Sequence, residues 1–371
     1  MRASSRKLLL VLLGLGVLGF VLYTSSGFIH LADFSGAKLL QAVRGANLYY
    51  LALSVVAIYG CYALRALRWE VFQRNLGESH FWNIYGVTLA GFSAVFLLGR
   101  AGEPVRPLLL ARKEKLPLPG LFGIYVLERL FDAASTAVIA AVGLLLFNAH
   151  NHVDETTGKF ETAAKATGSF LFAGVLVAVA LLVYLRLHGT ALLERRLQGW
   201  READGWRVRV ARIVLGFARG VQTIRTWGQL ALAVTYSAAH WFLVLLVYFW
   251  VSHSFGGKLE TIGLSDAMLV MAFTLVGSAV QVPGVGGGSQ AGSIIAYTAI
   301  FGVEREPAVA AAIVIWLITF AASCFAGVPL LIREGWSLGE LRRMAEHEDL
   351  IIDKQAAGYT NAETRPGESA E

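Results

Sequence analysis

The stretch LLGRAGEPVRP, residues 97–107, sets two arginines and a glutamate among two glycines and two prolines. Guanidinium groups present planar forks that match the oxygens of a phosphate. Pro104 and Pro107 fit the first turn of a helix, where the backbone N–H groups have no intrahelical partner anyway. A half-helix beginning near Pro104 would turn its free N–H groups, and the positive end of its dipole, toward the break at 99–103. Arg100, Gly102, Glu103 and Arg106 are therefore candidates for holding an anion, with Glu103 pairing with either arginine when no ligand is bound.

A second charged group lies in YVLERLFDAAS, residues 125–135. Glu128 and Asp132 are four apart and share a helical face, and Arg129 is three from Asp132. Asp132 falls about 13 residues into its apolar run, roughly 20 Å at 1.5 Å per residue, which is near mid-membrane. Ionisable groups at that depth are costly unless paired, and they mark function. Two readings stay open, coupling to protons or ions and a structural ion pair. Asp132 is the better candidate for the first and Glu128 for the second.

A third segment, QVPGVGGGSQAG at 281–292, carries no charge. Its glycines let backbone approach a ligand, or let helices pack tightly. Pro283, Gly284, Gly286, Gly287, Gly288, Ser289 and Gln290 form the candidate ligand surface, with Ser289 as N-cap of a helix through Ile300. His240, beside Trp241, reads as a packed helix residue. Cys61 and Cys324 lie in apolar runs without metal-ligand spacing and read as small buried hydrophobes.

The elements that must position these groups are membrane helices. Of 371 residues, 56% are hydrophobic and 16% charged, and the mean hydropathy is +0.58. That composition excludes an ordinary soluble domain. Apolar runs able to cross a bilayer occur near 7–25, 47–67, 119–147, 169–187, 229–252 and 308–332. The net charge of +6 sits in the loops between them, so it speaks for a cytoplasmic membrane face and not for nucleic acid. The first run follows Arg2, Arg6 and Lys7 without a convincing cleavage site and reads as a retained helix. No phosphate-loop, HExxH or GxSxG motif occurs, so no cofactor or metal is expected.

Loop charges orient the spans. The connection 186–228 holds nine arginines against three acidic residues and belongs inside. The 65–80 loop, with Arg65, Arg68 and Arg74, then also falls inside, as do both termini. The cluster Arg112–Lys115 stays inside only if the run 81–98 dips into the membrane and returns. The run 264–282, also ended by glycine and proline, becomes its mirror from the opposite face. An offset of 185 residues aligns Ser93-Ala94-Val95 with Ser278-Ala279-Val280, Gly99 with Gly284, and Gly102 with Gly287.

The expected fold is all-α: six full transmembrane helices plus two re-entrant hairpins in an inverted repeat, with units at 7–147 and 169–332. One transmembrane domain covers 1–335, including a basic interfacial connection at 188–228. An amphipathic segment at 207–225 lies within that connection. A polar cytoplasmic tail covers 336–371, disordered beyond 353.

GRAGEPVRPLLLARKEK, LERLFD and PGVGGGSQAG resemble the lysylphosphatidylglycerol synthase transmembrane-region family of flippase-like proteins, over about residues 5–335. The same domain forms the membrane half of the bacterial multiple peptide resistance factor. The resemblance implies a bacterial inner-membrane location and a polar cleft between the hairpins for a lipid headgroup. Arg100, Gly102, Glu103 and Arg106 match the first motif, Glu128, Arg129 and Asp132 the second, and Pro283, Gly284 and Gly286–Gly288 the third. Gln290 stands where many relatives carry glutamate. With only a short polar segment after the last span, lysyl-lipid synthesis is not expected of this chain. Translocation of an anionic phospholipid or lipid-linked headgroup leads. A secondary transporter of a small anion is the alternative, and an intramembrane enzyme using Glu103, Glu128 or Asp132 comes third. The expected partners are membrane lipids, with a homo-oligomer or a separate lipid-modifying enzyme left open.

Overall fold

The computed structural model describes residues 36–146, 226–278, 281–282 and 286–334, with isolated positions between 165 and 177. The expected first span at 7–25, most of the run at 169–187, the segment 207–225 and the tail from 336 lie outside the described residues. In chain order come α1 (Gly36–Gly45), α2 (Leu48–Gln73), α3 (Phe81–Leu98), α4 (Val105–Glu114) and α5 (Leu118–Leu146). They are followed by α6 (Trp227–Ser254), α7 (Leu264–Gly277), β1 (Gln281–Val282), β2 (Gly286–Gly287), α8 (Gly288–Ile295), α9 (Arg305–Trp316) and α10 (Ala322–Arg333). Apart from the two-residue strands, the described elements are helical.

Five helical stretches are long and apolar enough to cross a membrane: α2, α3, Gly120–Leu146 of α5, α6, and the stretch Arg305–Arg333. The chain is a multi-pass membrane protein. Large apolar side chains such as Val56, Val276 and Phe325 point outward, as a surface facing lipid requires. Four of the five stretches are spans expected from the sequence, and the fifth is the 81–98 run.

Helix α2 corrects one expectation. It does not end near 67 but continues to Gln73, carrying Arg65 and Arg68 into the protein interior and not into a loop. Its pattern explains why. Arg65, Arg68, Trp69 and Phe72 follow at three- and four-residue spacing, so one helical face turns all of them inward. Asn47 starts the helix by accepting the Tyr49 N–H at 3.0 Å.

The two broken runs are helical hairpins. Helix α3 ends at Gly99, whose φ of 65° and ψ of −144° leave helical space and suit only glycine. After one tight turn, α4 begins behind Pro104, whose carbonyl accepts the Leu108 N–H at 3.2 Å. It then runs back along α3. A Cβ on Gly91 would lie 2.6 Å from the Arg106 Cβ, and the Glu114 carboxylate accepts the His80 N–H at 3.4 Å.

Helices α7 and α8 repeat this arrangement. The Thr274 and Ser293 hydroxyls meet at 2.6 Å, and Gly292 lies against the Phe273 carbonyl. Strands β1 and β2 close the tip, antiparallel, with Gln281 opposite Gly287 and Val282 opposite Gly286.

Helices α2 and α6 are antiparallel. The Asn47 N–H donates to the Ser254 carbonyl at 2.7 Å near one end, and Arg68 meets Ser237 further along. Helix α10 lies on α3, where the Ser93 hydroxyl donates to the Ser323 carbonyl at 2.9 Å. Helix α7 lies on α5, with Gly143 against Met268 and Leu269. Each hairpin therefore rests on the last long helix of the other half. One apolar core gathers α2, α6, α7 and α9, and a second gathers the end of α2 with α3, α4 and α5.

Candidate functional site

The second core encloses a charged cluster. Helix α2 contributes Arg65 and Arg68, α4 contributes Arg106, and α5 contributes Glu128, Arg129 and Asp132. Glu128 is fully buried and is reached by Arg106 at 2.8 Å, Arg68 at 3.0 Å, Arg65 at 3.1 Å and Arg129 at 3.5 Å. Asp132 is reached by Arg68 at 2.8 Å, Arg65 at 2.9 Å and Arg129 at 3.1 Å. Arg65 Nε also donates to His240 Nε2 at 2.9 Å, and Arg68 donates to the Ser237 hydroxyl at 2.9 Å. Three helices of the first half thus build the ion pairs, and α6 of the second half holds two of the arginines.

Charge does not balance there. Four guanidinium groups face Glu128 and Asp132, and with Glu103 close by the described residues keep an excess of one positive charge. Nor are all its donors used. Nε and Nη2 of buried Arg106, and Nε of Arg68 and Arg129, find no hydrogen-bond partner among the described residues. A buried unpaired donor is costly, and more so on a charged group. The guanidinium planes are instead braced by rings. Arg106 lies 4.2 Å from the Trp69 centroid, Arg65 lies 4.9 Å from Phe92, and Arg129 lies 5.3 Å from Tyr125.

Beside these donors is a cavity of about 40 Å³, lined by Gly91, Phe92, Val95, Glu103, Arg106, Tyr125 and Arg129. One water needs roughly 10–15 Å³, so the space admits a small polar group. The absence of a side chain on Gly91 is what lets Arg106 sit against α3 at this level. The cavity lies at the start of α4, where the helix N-terminus adds its own partial positive charge.

The structure brings Arg106, Glu128, Arg129 and Asp132 together, with Glu103 on the cavity wall and Gly102 packed against the Ala94 carbonyl behind the turn. Arg100 belongs to the tight turn after α3, and its side chain lies outside the described set. Of the two arginines expected for Glu103, Arg100 lies outside the described side chains, and Arg106 is not its partner. Arg106 is engaged by Glu128, and Glu103 instead accepts the Tyr125 hydroxyl. His240 is also more than a packing residue, since it receives Arg65.

The second hairpin does not join the charged cluster. Pro283 and Gly284 lie outside the described residues, and Gly286 pairs with Val282. Ser289 is inside α8 and does not cap it. Gln290 takes that role, accepting the Gly287 N–H at 2.6 Å, with Gly288 as the first helical residue. The φ of 118° at Gly287 explains a glycine there. Around α8 the polar groups are uncharged: Ser252 and Tyr297 hydroxyls at 2.7 Å, and Thr274 with Ser293. Among the described residues no group of three or more His, Cys, Asp or Glu could hold a metal ion.

Arg65, Arg68, Tyr125 and Ser237 were not named as site residues by the sequence. A signal for the first two existed. Arginines three apart, in phase with Trp69 and Phe72 inside an apolar run, are placed to face a partner and not water.

A family profile described as the lysylphosphatidylglycerol synthase TM region matches residues 8–327. No curated protein and no solved structure matches the chain.

Proposed function

The chain belongs to the lysylphosphatidylglycerol synthase transmembrane-region family, and from that membership, which suggests a lipid-related role, we propose that it translocates a lipid with an anionic headgroup. The observation that carries this reading is the surplus positive charge beside the cavity, with two Arg106 donors unpaired among the described residues. A phosphate oxygen pair suits that fork. Arg129 supplies a second cation on the same wall, and Glu103, held by Tyr125, faces them. Charges at membrane depth cost about 2.5–3.5 kcal/mol each on insertion scales, and more in simulations. An anion that completes the cluster gives that cost a purpose.

The hairpins enter from opposite faces as parts of an inverted repeat, each unit comprising two helices, a hairpin and a helix. Two features support this. The matching helices α2 and α6 pack antiparallel, and each hairpin rests on the other unit's last helix. The headgroup path runs between the hairpins, with the glycines at 286–288 allowing close backbone approach. The nine arginines of the connection 186–228 support a cytoplasmic membrane with both termini inside. Transport suits the cluster better than catalysis, because Glu128 and Asp132 are each tied to several arginines. The lipid itself would come from a separate enzyme.

Reconstituted liposomes test this. The chain is expected to accelerate exchange of a fluorescent phosphatidylglycerol between leaflets, and Arg106→Ala to return the rate to that of protein-free liposomes. Glu128 keeps three other arginines in that variant, so it should fold. Uptake of inorganic phosphate without lipid exchange would favour the small-anion transporter. Wild-type exchange by Arg106→Ala would remove Arg106 from the site.

A further inference from the structure

The last membrane stretch is not one regular helix. Between α9 and α10, residues 317–321 form a single wide turn, in which the Ala322 N–H donates to the Leu317 carbonyl, five residues back. Such a turn loosens neighbouring carbonyls from the helical ladder, and in lipid those carbonyls need other donors. Helix α2 supplies them. The Tyr59 hydroxyl donates to the Ala322 carbonyl at 2.8 Å, and the Tyr62 hydroxyl to the Thr319 carbonyl at 3.4 Å.

The wide turn also divides two packings. Before it, α9 rests on α8 of the second hairpin; after it, α10 rests on α3 of the first. The stretch therefore joins the two hairpins through its least regular point. Aromatic contacts connect that point to the charged cavity. The Tyr62 ring lies 5.3 Å from Phe92, and Phe92 is both a cavity wall and the ring beneath Arg65. Phe96 of α3 meets Trp316, the last residue before the turn, at 5.4 Å.

We propose that residues 317–321 are the hinge on which the two hairpins move relative to one another during transport, and that Tyr59, Tyr62 and Phe92 link it to occupancy of the cavity. A group entering the cavity presses on Phe92. Phe92 bears on Tyr62, and Tyr62 holds the Thr319 carbonyl within the wide turn. Tyr59 and Tyr62 are positioning residues and touch no ligand. This inference rests on the lipid-transport reading, and its test separates the two.

The double variant Tyr59→Phe, Tyr62→Phe removes two hydroxyls and little else. Lipid exchange in liposomes is expected to fall about tenfold, the scale of one or two lost hydrogen bonds. Equilibrium binding of dihexanoyl phosphatidylglycerol to the detergent-solubilised chain should stay unchanged. Undiminished exchange, or binding and exchange falling together, overturns the hinge. A second measurement places spin labels at Phe325→Cys and Val276→Cys, both exposed positions, in a chain carrying Cys61→Ser and Cys324→Ser. The distance distribution is expected to shift when dihexanoyl phosphatidylglycerol is added. A fixed distribution, in a chain whose exchange still depends on Arg106, overturns the hinge and leaves the lipid reading standing. No lipid exchange by the unsubstituted chain removes both.

Discussion

Glu128 and Asp132 differ in how many cations they hold, and that difference sets what their loss should do. Glu128 contacts Arg65, Arg68, Arg106 and Arg129, and Asp132 all of these except Arg106. Removing one partner of a buried ion pair costs about 3–5 kcal/mol, because the other partner stays buried without compensation. Glu128→Gln should therefore lower the melting temperature in detergent more than Asp132→Asn does. Both should lower stability and every transport activity together if the cluster is a brace. A stable Asp132→Asn chain whose exchange no longer responds to a pH gradient would instead assign Asp132 to coupling.

Helices in this protein are positioned by what their small residues permit. Gly327 of α10 sits against the Leu89 carbonyl and the Ser93 hydroxyl of α3, with no room for a methyl group. Gly327→Ala must push α10 off the hairpin at a backbone contact that cannot yield by a rotamer change. The expected cost is about 1–3 kcal/mol. Gly123 of α5 is the control, since nothing lies within 4 Å of a Cβ there. Gly123→Ala should be neutral or stabilising, by up to about 1 kcal/mol. Equal melting temperatures for the two variants would deny that α10 and α3 are locked at Gly327.

At the scale of the molecule, the two halves interlock through α2 and α6 and through the exchange of hairpin contacts. An inverted arrangement puts the end of α4 and the start of α9 on opposite sides of the membrane. Single cysteines at Arg112 and Glu304, both exposed, should then label with a membrane-impermeant maleimide from the cytoplasmic and outer sides respectively. Labelling of both from one side would refute the opposed hairpins while leaving the charged cavity in place.

Membrane character, the two helix breaks and the charged motifs were legible in the sequence because each depends on local chain properties. Apolar runs of sufficient length, glycine–proline breaks and i, i+4 spacing are visible without knowing what packs where. The limits of α2 were less legible, since positive charge in Arg65 and Arg68 reads as loop until a buried partner is known. Those partners are 60 to 67 residues away along the chain, and His240 is 175 away from Arg65. No local pattern encodes such pairings. They follow from the crossing of α2 with α5 and α6, which side-chain packing over the whole bundle decides. The same holds for Glu103, which meets Tyr125 of α5 while Glu128 of that helix holds Arg106.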